Sequence, residues 1–182
     1  YDDSFRGRLF NASVVLILCI IAARRAKSVP LFALALVASP QIWYTFSYFN
    51  GDAFAFFVSM LIAWQLVDSD SLTNRYLNST DFKSHLTGGI LFGGLLGLML
   101  LSKRNYYVYV AFVLCALAWR FLYGQENQQP SAGGFRLHVK KGLLIGGVAL
   151  CLWLPPMVYD QFVNDFKKNE KILAVAERMA AP

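Results

Sequence analysis

The chain has 182 residues, of which 57% are hydrophobic, 15% aromatic and only 15% charged, with a net charge of +6. A soluble domain carries nearly a quarter of its residues as charges, so this balance excludes an ordinary globule and points to an all-α, polytopic membrane helix bundle. The positive charge is spread over the polar connections without a clustered basic face, which excludes nucleic acid as a partner.

A helix crosses the hydrocarbon core with about 20 apolar residues, fewer where its ends snorkel. On that measure the chain holds six segments, at 9–23, 29–49, 53–67, 86–102, 105–123 and 142–159, in one transmembrane domain over 1–182. It opens on Tyr1 in mid-pattern, as an internal fragment of a longer protein would. Arg24, Arg25 and Lys27 close the first segment and mark that side as cytoplasmic. Counting onward puts 24–28, 68–85 and 124–141 inside, where Arg75, Lys83, Arg136, Lys140 and Lys141 fall, with Arg120 near its helix end. The turns at 50–52 and 102–105 then face outward, and Lys103-Arg104 runs against the charge bias. Such a pair either snorkels to headgroups or binds an anion.

Prolines and glycines set further expectations. Pro40 interrupts the second segment and Pro155-Pro156 the sixth, and each should kink or break its helix. Gly89, Gly93 and Gly97 share one helix face, and Gly142 and Gly146 repeat the spacing, so both stretches read as close-packing seams. Cys19, Cys115 and Cys151 sit inside apolar runs as small packing residues, an odd count that argues against a disulfide framework. His85 and His138 have no neighbouring ligand at metal spacing, so no metal is expected. Beyond the last segment, Phe162, Phe166, Leu173 and Ala176 fall on one face of a surface-lying helix at 160–181.

Asp52 opens the 53–67 segment and suits an N-cap, where a side-chain oxygen accepts from unpaired backbone N–H groups. Two segments separate it from Lys103, so both emerge on one side of the membrane. An acid and a base at the mouth of one bundle could hold a lipid phosphate with a sugar hydroxyl, and leave room for a divalent cation.

Ser39-Pro40-Gln41, followed by Tyr48-Phe49-Asn50-Gly51-Asp52-Ala53, resembles the PQ…(S/Y)-x-N-x-D-A signature of GT-C-type membrane glycosyltransferases. The branch it is most similar to is the uncharacterised group of bacterial membrane proteins related to protein O-mannosyltransferases. The run from Gly94 to Lys103 resembles their GLxxGLxxLxK segment, and Pro155-Pro156, Tyr159 and Asn164-Asp165-Phe166 resemble the stretch after a later span. The resemblance implies a sugar donor linked to polyprenyl phosphate, used at the outer face of the bacterial cytoplasmic membrane and needing no organic cofactor. It further implies a donor and phosphate site of Lys103, Arg104, Asp52 and Asn50, with the catalytic acidic residue upstream of Tyr1. The rival expectations are a transporter or flippase of lipid-linked saccharides, built on broken helices at Pro40 and Pro155, or a non-catalytic membrane scaffold.

Overall fold

A computed structural model of the chain describes residues 2–25, 30, 39–47, 51–102, 104–123, 132–162 and 168–180. Every regular element among them is helical. In chain order they are α1 (Asp2–Arg25), α2 (Pro40–Ser47), α3 (Gly51–Val67), α4 (Leu72–Asn78), α5 (Leu86–Ser102), a 3₁₀ turn (Arg104–Tyr106), α6 (Tyr107–Tyr123), α7 (Ala132–Phe162) and α8 (Lys168–Ala180).

The first helix shows how the sequence orients its elements. Gly7, Asn11, Val14, Leu18 and Ala22 recur at intervals of four and three, and all five are buried. That seam packs on α2 and α3, where Val14, Leu18 and Ala22 meet Ile42, Phe46 and Ala53. The opposite face presents Leu9, Leu16, Ile17 and Ile20 outward. Contiguous outward apolar surface on this scale suits lipid, not water.

Helix α5 is the centre of the larger core and touches α3, α4, α6 and α7. Its Phe92, Leu95, Leu96 and Met99 join Val58 and Ile62 of α3, Tyr76 and Leu77 of α4, Val110, Val113 and Leu117 of α6, and Ile145 and Ala149 of α7. The glycine face makes that centrality possible. A methyl on Gly93 would stand 2.6 Å from the Ile145 carbonyl oxygen, and one on Gly97 would stand 2.9 Å from Leu152 Cβ. The seam on Gly89, Gly93 and Gly97 is therefore real.

The second seam has no partner among the described residues. A methyl on Gly142 or Gly146 would meet no described atom within 4 Å. Helix α7 turns Ile145, Val148 and Leu152 toward α5, and the neighbouring glycines are rotated roughly 100° away from that face.

The two proline sites behave differently from each other. Pro40 begins α2, where its missing N–H is no loss, and the Ile42 N–H reaches the Ser39 carbonyl at 3.2 Å. Helix α7 runs unbroken through Pro155 and Pro156 to Phe162. The cost is confined to the carbonyls four residues earlier, on Cys151 and Leu152. Cys115 and Cys151 are exposed on the bundle surface and Cys19 is half-buried, so the first two do not fill the core.

Among the described residues two helices are long and apolar enough to cross a membrane, Phe5–Arg25 and Gly134–Phe162. The pair Asp52–Val67 and Leu72–Asn78, bent by 44° at its break, makes a third if read as one broken span. Leu86–Ser102 and Tyr107–Phe121 are shorter apolar helices. Of the expected 29–49 segment, residues 29, 31–38, 48 and 49 lie outside the described residues. Residues 160–162 of the expected surface helix belong to α7, 163–167 lie outside the described residues, and α8 carries exposed side chains from Glu170 to Met179.

Three polar connections meet at one end of the bundle. The Arg25 guanidinium at the end of α1 lies 3.5 Å from Asp68 after α3. Arg120 near the end of α6 bonds to Asn74 and Asn78, and Lys141 of α7 bonds to Leu77 and Ser79. Cysteines placed singly at Arg24, Ser69 and Arg136, in a background without the native cysteines, should thus react with an impermeant maleimide from the same side of the membrane. Ser69 is exposed, whereas Ser71 is buried and would report poorly. Labelling of one site from the opposite side to the other two would contradict the arrangement.

Candidate functional site

The residues expected to form the donor site divide between described and undescribed positions. Helix α3 already includes Gly51, so Asp52 is a half-buried residue of its first turn and not the N-cap. There its carboxylate suits the positive end of the helix dipole. Arg104 opens the 3₁₀ turn after α5. Lys103 and Asn50 lie outside the described residues.

Helix geometry relates the two ends of this set. Helices α3 and α5 have 17 residues each, roughly 25 Å of helix. Gly88 near the start of α5 packs against Leu72, just past the end of α3. Because α5 then runs back along α3, its last turn lies toward the end of α3 that holds Asp52. A hydrogen bond of 2.8 Å from the Tyr109 hydroxyl to the Ser59 carbonyl ties α6 to α3 on that side. Asp52 and the turn at 104–106 therefore share one end of the bundle, opposite the end where Arg25, Arg120 and Lys141 converge.

That opposite end holds the densest polar chemistry in the structure. Helix α3 stops at Val67, and the last carbonyls of a helix need partners from outside it. The break supplies them. Ser71 caps α4, its Oγ accepting from the Asn74 N–H at 3.1 Å while donating to the Gln65 carbonyl at 2.7 Å. The Asn74 side-chain amide donates to the Leu66 carbonyl at 3.0 Å and the Asp68 carbonyl at 2.6 Å. Gln65 Oε1 accepts from the Thr73 N–H at 3.2 Å and the Thr73 hydroxyl at 2.9 Å. The buried Asp68 carboxylate accepts from Trp64 Nε1 at 3.0 Å and from the Asp70 N–H at 3.1 Å, and pairs with Arg25.

Cations close the network from the far helices. Arg120 donates to Asn74 Oδ1 and, at 2.8 Å, to Asn78 Oδ1, two amides one helical turn apart. Lys141, fully buried, donates to the Leu77 carbonyl at 3.1 Å and the Ser79 carbonyl at 2.6 Å, with Nζ 5.3 Å from the centre of the Tyr76 ring. These contacts cap the carboxyl end of α4 with a positive charge, the sign the dipole favours. The Tyr76 hydroxyl has no hydrogen-bond partner among the described residues.

The network is a clamp. It satisfies helix ends and holds the broken α3–α4 unit against α5, α6 and α7. Arg120→Lys should lower stability by about 1 kcal/mol, because one ammonium cannot reproduce a planar fork to two amides. Unfolding of the purified protein in detergent would measure it, and an unchanged midpoint would show that the fork adds nothing. Among the described residues no three His, Cys, Asp or Glu side chains gather as a metal site.

The sequence reading of 68–85 as a polar cytoplasmic connection misses this clamp. Its signals were present: Gln65 inside an apolar run, Asp68 directly after it, the Ser71-x-x-Asn74 capping spacing, and Arg120 within a membrane-length segment. Comparison with protein-family models, with curated proteins and with solved structures finds no match to this chain.

Proposed function

We propose that the chain is part of a GT-C-like membrane glycosyltransferase. It would move a sugar from a polyprenyl-phosphate donor to an acceptor at the outer face of the cytoplasmic membrane. In this reading six segments cross the bilayer, with the Arg25, Arg120 and Lys141 end inside and the Asp52 and Arg104 end outside. Lys103, with Arg104, neutralises charge on the departing lipid phosphate. Asp52 orients a sugar hydroxyl or a divalent cation, and Asn50 shapes the turn. Fixed positive charge in a water-poor site is the most effective way to stabilise such a leaving group.

The observation that carries the reading is the shared end of Asp52 and the 104–106 turn, reached from two segments far apart in sequence. The clamp at the other end supports it indirectly. There Arg25, Arg120 and Lys141 hold helix ends together, so the charge-defying pair in the remaining turn is the natural candidate for ligand chemistry. Asp52→Asn and Lys103→Ala should each lower transfer from a polyprenyl-phosphate sugar by at least roughly tenfold at equal expression in membranes. Undiminished transfer in both variants would remove the proposed site.

One observation favours a second reading. The α3–α4 break of 44° is the kind of discontinuous helix that transporters place around a path, although it lies at 68–71 and not at Pro40 or Pro155. A flippase would move lipid-linked saccharide across vesicles without cleaving it, and a flipping assay with an intact labelled donor separates the two.

A further inference from the structure

Two adjacent lysines of α7 have opposite fates. Lys141 faces α4 and is consumed by the Leu77 and Ser79 carbonyls, while Lys140 is exposed. Arg136, one turn before Lys140, is exposed as well. Neither makes a hydrogen bond or ion pair with any described residue. On the same outward side stand Phe135, Val139 and Leu143, exposed at 68%, 43% and 71%. At 100° per residue these five side chains cover one face, opposite the buried face of Lys141, Ile145 and Ala149.

The result is a row of apolar side chains beside a row of two cations, placed where α7 passes from polar to apolar sequence. Exposed Arg24, Arg75 and Lys83 belong to the connections at the same end, against exposed Asp70 and Asp81, so the local field is positive. At the membrane interface an apolar row belongs among acyl chains and the basic row beside it among phosphates. We propose that this face of α7 is a binding site for an anionic glycerophospholipid, whose phosphate lies between Arg136 and Lys140 and whose chains run from Val139 along Leu143. The outward extension of the bundle's lipid-facing surface and the charge complementarity both select a lipid. The site is at the opposite end from the proposed donor site and does not depend on it.

The test is lipid retention by the full chain, purified in detergent and offered an equimolar mixture of phosphatidylglycerol and phosphatidylcholine before native mass spectrometry. Wild type should retain phosphatidylglycerol preferentially, and Arg136→Gln/Lys140→Gln should lower that preference by about thirtyfold, the scale of two interfacial basic residues. The charge-preserving exchange Arg136→Lys/Lys140→Arg should retain it, as should Lys171→Gln/Arg178→Gln on α8. Equal retention of the two lipids by wild type, full preference in the double glutamine variant, or loss in the charge-preserving exchange would each overturn the proposal. So would displacement of the lipid by inorganic phosphate, which would mark a site for free anions.

Discussion

Alanine at Gly88 should cost more than about 3 kcal/mol of stability, whereas alanine at Gly94 on the same helix should be neutral or slightly stabilising. The two glycines differ only in what surrounds them. A Cβ on Gly88 would overlap the Leu72 carbonyl oxygen and sit 2.5 Å from the Leu72 carbonyl carbon, and one on Gly94 would meet no described atom within 4 Å. The obstructing atoms are backbone, so no rotamer change relieves the overlap. They are also fixed, because Leu72 opens α4 between the Ser71 cap and Thr73, which bonds to Gln65. Relief requires moving α4 away from α5, which would open the contact of Gly89 with the Tyr76 ring and stretch the Arg120 and Lys141 bonds. At Gly94 the alanine only removes backbone entropy from the unfolded chain. Unfolding of both variants in mixed micelles, followed by helical circular dichroism, gives the comparison. A Gly88 variant as stable as wild type would mean that α4 and α5 stand further apart than described.

Lys141→Met should lower stability by about 2–3 kcal/mol, and Lys140→Met should change it by less than about 0.5 kcal/mol. Methionine matches the length of the lysine stem, so the packing loss is small. What is lost is the donor to two carbonyls, Leu77 at 3.1 Å and Ser79 at 2.6 Å, beside a fully buried Tyr76. Unsatisfied buried acceptors cost about 1–3 kcal/mol each, and part of that returns because an ammonium no longer has to be kept from water. The net effect is therefore smaller than the sum of two lost bonds. Hydrogen exchange of the 72–81 amides should accelerate in the Lys141 variant and not in the Lys140 variant. Equal behaviour of the two would reduce the clamp to a surface contact.

Both results concern the α3–α4 unit, and its importance follows from its place. It touches α5 directly, and through Arg25, Arg120 and Lys141 it binds α1, α6 and α7. Loosening it releases the whole end of the bundle. The proposed donor site lies roughly 25 Å away along α3, so clamp variants should shift stability before they shift chemistry at the other end.

Much of the molecule was legible from the chain alone, for a physical reason. Composition compels helices, because a backbone in lipid must satisfy its own hydrogen bonds, and the apolar runs at 53–67, 86–102 and 105–123 lie within one to two residues of the bounds of α3, α5 and α6. The four-residue glycine repeat on α5 announced a close-packed face, since only absent side chains let backbones meet in lipid. Periodicity says that a face is special, however, and not which neighbour it meets. Tertiary packing alone decided that Gly93 and Gly97 face α7 while Gly142 and Gly146 face no described atom. It alone made Pro40 a helix start and let α7 pass through Pro155 and Pro156. It also turned a polar stretch that reads as a loop into a buried clamp, because the groups that desolvate and pair with Asp68, Asn74, Leu77 and Ser79 come from α1, α6 and α7, up to 64 residues distant. Local sequence carries propensity and pattern. The partner of a buried polar group is a long-range fact, and only the folded chain supplies it.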